Sequence, residues 1–152
     1  SQRHNLLITG PTGAGKSWLA CAFGHKACRE RHSVLYHRLG RLFSELSTSR
    51  GEGRYLRLLK TLSQVDLLII DDWGLTALAP DHLRDLLEIL EDRHGRKSTI
   101  ITSQLPVDHW HEWLGEATLA DAIMDRLIHN AYQIHLKGGS MRKMLTKTLT
   151  LH

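Results

Sequence analysis

At 152 residues with 41% apolar side chains, the chain is long enough for one domain with a real core, and its composition sits near the globular norm. Its 20 basic and 16 acidic side chains leave a formal charge of +4, which permits an anionic partner without requiring one. No apolar run approaches the length of a membrane span and no signal peptide is visible, so no membrane partner is expected. Cys21 and Cys28 fall seven apart on one predicted helix, roughly 10 Å along its axis, too far for a disulfide. Two free thiols suit a reducing cytosol, so a cytoplasmic location is expected. The first core strand begins almost at residue 1. One domain over 1–152 is therefore expected, with a natural N-terminal segment ahead of it.

Strand and helix signals alternate along the chain, which predicts a parallel sheet covered by helices. Asn5 to Thr9 reads as a short buried strand, and a helix follows from Trp18 to about Arg31. Ser33 to His37 is the second strand. Arg41 to Leu46 is helical, and Ser47 to Gly53 reads as a flexible connection. Tyr55, Leu56, Leu58, Leu59 and Leu62 mark another helical face. Val65 to Asp72 is an apolar run ending in two acids. A helix from Pro80 to about His94 can start on its proline. Thr99 to Ser103 is β-branched and extended. Short helices are predicted over Val107 to Leu114 and Leu119 to His129, and Ala131 to Leu136 alternates as the last strand.

The chemistry begins at Gly10-Pro11-Thr12-Gly13-Ala14-Gly15-Lys16-Ser17, which fits the G-x-x-x-x-G-K-[ST] phosphate-binding loop between a strand and a helix. Its glycines let the backbone curl and turn its N–H groups inward. The following helix aims unpaired amides and its positive dipole end at the phosphates. Lys16 should reach the β- and γ-phosphates of ATP, and Ser17 Oγ should ligate Mg²⁺. The strand ending in Asp71 and Asp72 carries both acids to the carboxyl edge of the sheet, where the loop also lies. Asp71 is placed to hold the magnesium hydration shell and Asp72 to orient the attacking water. That second acid argues for water as the nucleophile, and so for an ATPase rather than a small-molecule kinase. At the end of the next strand, Gln104 is favoured as the side chain on the γ-phosphate and lytic water, with Ser103 second. Arg126 and Arg142 could each neutralise phosphate charge. On residue type alone the simpler reading of each is a surface arginine.

Arg50, Arg54 and Arg57 are predicted along one side of the Gly51–Gly53 connection and the following helix, a stripe suited to duplex DNA phosphates that does not read sequence. His109, His111 and Glu112 lack the paired i, i+4 histidines of a helical zinc site. Trp110 and Trp113, three apart, should pack a helix on the core. Trp73 could shield the site or fill a turn.

Taken together, GPTGAGKS, LLIIDDWG, TIITSQLP, DAIMDRLIHNAYQIHL and GGSMRK occur in an order and at spacings that resemble the IstB-like transposition helper ATPases. These are relatives of the DnaC-type helicase loaders in the AAA+ class. The resemblance covers nearly the whole chain, and DDWG, the TSQ strand and DRLIHNAY with GSMR point to IstB rather than DnaC. It implies a P-loop core with strand order 5-1-4-3-2 and ATP sites formed between subunits of a homo-oligomer. It implies that Gln104 is the first sensor, Arg126 the finger given to a neighbour and Arg142 the second sensor. It also implies assembly on duplex DNA beside a transposase, aiding target selection and integration. A DnaC-like helicase loader is the alternative. Only 16 residues follow Leu136, so any helical lid is expected to be vestigial.

Overall fold

The computed structural model describes residues 3–138 and 148–151. Its strands are β1 (Asn5–Thr9), β2 (Val34–Arg38), β3 (Leu67–Trp73), β4 (Ser98–Ser103), β5 (Ala131–His135) and β6 (Thr148–Leu151). They form one sheet in the order β2-β3-β4-β1-β5-β6. The first five are parallel, in the expected 5-1-4-3-2 order. The sixth, which was not foreseen, pairs antiparallel to β5. Of the helices, α1 (Lys16–Arg29) follows the phosphate loop, and α2 (Leu39–Gly51) and α3 (Tyr55–Gln64) connect β2 to β3. Next, α4 (Pro80–Arg93) precedes β4. A short 3-10 turn at Val107–His109, α5 (Trp110–Leu114) and α6 (Ala117–Ile128) lead to β5.

Side chains alternate across the strands, and this alternation divides the core in two. Leu7, Leu68, Ile70 and Ile101 face the larger cluster with Leu42, Leu46, Leu62, Leu86, Ile89, Ile123 and Leu127. Ile8, Leu67, Ile69 and Ile100 face the smaller one with Ala20. Helix α1 alone of the long helices lies on that smaller side. It approaches closely because position 24 is glycine: a Cβ there would stand 3.1 Å from Ile69 Cδ1. The phosphate loop ahead of α1 is thereby held against the sheet.

The segment expected to be a flexible connection, Ser47 to Gly53, is instead helical as far as Gly51. Ser49 is buried and its hydroxyl donates to Leu46 O at 2.7 Å. The next residue, Arg50, pairs with Asp85 of α4. Tertiary contacts thus override a polar local composition, and the chain turns only at Gly53, where φ is +74°.

At the amino edge of the sheet Arg93 is buried, with 2% of its surface exposed. Its guanidinium donates to Thr99 Oγ1 at 2.9 Å, Leu62 O at 3.0 Å and Val65 O at 2.6 Å, and to Ser98 O. It therefore ties α4 to the end of α3 and the starts of β3 and β4. Burial pulls its pKa down to about 10, against the raising effect of Asp66. Truncation would leave several buried carbonyls unpaired. Arg93→Ala should lower the unfolding free energy by about 3 kcal/mol or more, read from urea denaturation.

Candidate nucleotide-binding site

The loop after β1 is fastened on both sides. Gly10 N donates to Ser103 O at 3.1 Å, and Leu136 N donates to Thr9 O at 2.8 Å. Any Cβ at position 10 would fall 2.5 Å from the Leu136 carbonyl oxygen, so only glycine fits there. Gly15 caps α1 in the left-handed conformation, with φ 94° and ψ 20°, and no side chain caps its amides. These free amides and the dipole fit a phosphate. Lys16 is buried and its Nζ donates to Pro11 O at 2.9 Å, across the loop. Burial lowers its pKa, while Asp72 and Asp71 act to raise it.

Asp71, only 2% exposed, is the most heavily bonded acid at this edge. Ser17 Oγ lies 3.0 Å and 2.9 Å from its two oxygens. Thr102 Oγ1 donates to Oδ1 and the Tyr36 hydroxyl to Oδ2. Burial pushes the Asp71 carboxyl up, but bonds from Thr102, Tyr36, Ser17 and the Asp72 backbone bring it below its ordinary value. Burial, with the Asp71 bond, raises the Tyr36 hydroxyl to about 12, so it stays a donor. A hydroxyl and a carboxylate oxygen this close suit Mg²⁺, which prefers oxygen ligands and keeps several waters.

Asp72 occupies a β-bulge. Ile70 pairs with Ile101 but Trp73 pairs with Ser103, so β3 carries one residue more than β4. Asp72 takes the extra position at φ 62°, where aspartate is tolerated better than most side chains. Its N–H donates to Thr102 Oγ1 at 3.2 Å instead of joining the ladder. In a regular strand neighbouring acids would point to opposite faces. Here the bulge re-aims Asp72, whose Oδ2 lies 3.7 Å from Arg38 Nε.

The loops leaving β3 and β4 are pinned by tryptophans. Trp73 is buried and packs on Trp110 and Trp113, with ring centroids 5.4 Å and 5.2 Å away. Trp110 Nε1 donates to Leu105 O and Trp113 Nε1 to Thr76 O, both at 2.8 Å. Trp73 is thus core, and Trp110 and Trp113 anchor α5 as expected. Gln104 is exposed beside the loop. Ser103 is not a free alternative: its hydroxyl donates to Trp73 O and accepts from Leu105 N.

Other predicted site residues lie elsewhere. Arg126 lies in the last turn of α6 at the amino edge, where its carbonyl accepts from Asn5 Nδ2. It pairs with Glu91 and Asp125, each at 2.9 Å. The five residues of β1, roughly 16 Å, separate it from its own phosphate loop. Arg142 lies outside the described residues. The three-arginine stripe is not a free set. Arg50 binds Asp85 at 2.8 Å and lies over the Tyr55 ring at 4.2 Å. Arg54 pairs with Glu52 at 3.0 Å, and Arg57 is exposed. His111 pairs with Asp121 at 2.6 Å. Tyr36, Arg38 and Thr102 were not singled out from the sequence. The predicted strand order was the available signal, since it sets β2 and β4 on either side of the acidic strand.

A phosphate loop after β1, an acidic end on β3 and β4 between them define an ATP-binding domain of the AAA+ class. Residues 1–148 match the family described as IstB-like ATP binding protein, and the chain belongs to that family. It is 64% identical over 139 residues to a Sinorhizobium fredii protein named as insertion sequence ATP-binding protein y4pL, covering 91% of this chain and 57% of the relative. It is 36% identical over 138 residues to the Pseudomonas aeruginosa protein named as the insertion sequence IS21 ATP-binding protein, covering 91% and 52%. The chain thus spans about half the length of these curated relatives. The crystal structure of DnaI superposes with a TM-score of 0.78 at 25% identity, over 88% of this chain and 73% of that one. Among the described residues no helix is long and apolar enough to cross a membrane.

Proposed function

We propose that this domain is a Mg²⁺-dependent ATPase that assembles on duplex DNA and assists a transposase in target selection and integration. The observation that carries hydrolysis, beyond binding, is the bulge that brings Asp72 to the site beside Asp71. In this reading Lys16 and the amides of 10–17 bind the phosphates. Ser17 and Asp71 would hold magnesium, which neutralises phosphate charge when bound. Asp72 orients and polarises the attacking water, and Gln104 reaches the γ-phosphate from the end of β4. Arg142 is kept as the second sensor.

The position of Arg126 supports a site shared between subunits of a homo-oligomer. At the far edge of its own sheet it cannot serve its own loop, but it can be offered to a neighbour's. The DNA reading rests on Arg57, with Arg54 once it leaves Glu52. Arg50 is held by Asp85. The transposase reading rests on relatives named for insertion sequences. The sequence resemblance to the DnaC-type helicase loaders keeps a helicase loader as the second reading. Stimulation of strand transfer by a transposase in the presence of ATP supports the first, and its absence with helicase loading present supports the second. The free, exposed Cys21 and Cys28 agree with a cytoplasmic setting.

Asp72→Asn is a clean test of hydrolysis, because asparagine also tolerates a positive φ. It should bind ATP within about twofold of the parent while turnover falls about 100-fold or more, in steady-state phosphate release. Normal turnover would move the water-orienting role elsewhere.

The shared site is tested by mixing variants of the full-length protein. Arg126→Ala should bind ATP but hydrolyse it about 10³-fold more slowly, and Lys16→Ala should not bind it. Each supplies what the other lacks across an interface, so a mixture should regain part of the activity. No recovery, with mixing confirmed by cross-linking, leaves Arg126 structural.

A further inference from the structure

We infer that two side chains aim Arg126 before any neighbour meets it: Glu91 of α4 holds its guanidinium, and Asn5 of β1 holds its carbonyl. Both are positioning residues, and both roles rest on the shared-site reading above.

The contacts close a ring. Arg126 Nη2 donates to Glu91 Oε1 at 2.9 Å. Two residues further along α4, Arg93 Nε donates to Thr99 Oγ1 at 2.9 Å. Thr99 N donates to Asn5 Oδ1 at 3.1 Å. Asn5 Nδ2 then donates to Arg126 O at 3.3 Å and Leu127 O at 3.2 Å, which returns the ring to α6. Arg93 and Thr99 are both buried, so the far side of the ring is fixed. Asparagine suits its place because one amide both donates and accepts. Its Nδ2 serves carbonyls of the last helical turn, which an α-helix leaves without an internal partner. From the ring, β1 leads to the phosphate loop and β4 to Gln104. The finger given to a neighbour is therefore seated on strands of the subunit's own site.

Asp125 also pairs with Arg126, through Nη1 at 2.9 Å. It is the preceding residue of the same helix, so it moves with Arg126 and fixes nothing outside α6. Glu91 belongs to a different helix and sets the guanidinium against the body of the domain. Each acid takes one nitrogen, and a guanidinium has further N–H groups to turn to a phosphate. Glu91 thus aims the finger without consuming it. Holding a long side chain in one conformation beforehand spares the encounter that ordering cost. The Glu91 side chain is 56% exposed, so its hold is light and the effect of losing it modest.

The experiment is a mixing assay in the full-length protein, in which Lys16→Ala subunits give the finger and Arg126→Ala subunits give the phosphate loop. Glu91→Ala on the finger-giving subunit should cut the recovered ATP turnover about fivefold. On the loop-giving subunit, which has no Arg126 to aim, the same change should alter it by less than about twofold. Equal losses on the two sides, or no loss on the finger-giving side, overturn the Glu91 role.

Asn5→Ala on the finger-giving subunit should cut recovered turnover about tenfold, because bonds to two carbonyls are lost. On the loop-giving subunit the change should be less than about twofold, since that loop keeps its fastenings at Ser103 and Leu136. Asn5→Asp still accepts from Thr99 N but sets an oxygen against the two carbonyls. It should lose at least as much, with the same dependence on side. A loss equal on both sides, as a merely misfolded subunit would give, overturns the Asn5 role, and so does no loss. If the starting mixture recovers no activity, the shared-site reading fails and both roles fall with it. Recovery that ignores which subunit carries the change overturns the two roles alone.

Discussion

A carboxylate almost sealed from water is costly to keep ionised, and Asp71 is in that position. Its charge survives because hydroxyls from three elements converge on it: Ser17 from α1, Tyr36 from β2 and Thr102 from β4. A hydrogen bond to a charged group is worth about 1.5–3 kcal/mol, so together they outweigh desolvation. The shift is downward, so the linked stability is fully present above the carboxyl's ordinary range and is lost as pH falls through the lowered value. The same bonds set geometry. They hold α1, and with it the phosphate loop, in register with the central strands.

The bulge next to Asp71 is the second constraint. A non-glycine residue in the left-handed region costs about 1–2 kcal/mol, and Asp72 adopts it at the site edge. Two features hold it there. Thr102 Oγ1 takes the N–H that leaves the ladder, so one threonine serves both acids. Immediately downstream, Trp73 is locked between Trp110 and Trp113, which fixes where the strand resumes. Those two indoles also hold Leu105 and Thr76. Gln104, just after β4, and Asp72, in the bulge of β3, therefore sit beside one shared aromatic anchor.

Much of this was legible in the residues. The phosphate loop is local, so a backbone that needs glycine at 10 and 15 writes itself into the sequence. The central strands β1, β3 and β4 were legible because strands buried on both faces read as apolar runs, and β5 because its side chains alternate. The strand order and the finger and sensor assignments came from the family resemblance instead. What stayed hidden depends on partners distant in the chain. The end of α2 looks like a loop until Asp85 is seen holding Arg50. That same bond removes Arg50 from a free basic stripe. Tyr36 is an ordinary edge-strand aromatic until β3 is laid beside it. No local signal marks the bulge, since Asp-Asp at a strand end suits a regular turn equally well. The pairing of β6 on β5 also joins segments distant in the chain, and the alternation of Thr148 to Leu151 is too short to announce a partner.

The central claim is that Ser17 and Asp71 form one oxygen site for the metal that accompanies ATP. The direct measurement is Mn²⁺ affinity, by electron paramagnetic resonance titration in the presence of ATP, for the parent and for Asp71→Asn. Asparagine preserves shape and removes the charge. The account predicts that Mn²⁺ affinity falls at least about tenfold while metal-free nucleotide binding is retained. Equal Mn²⁺ affinity in the two proteins would contradict it and place the metal on other groups.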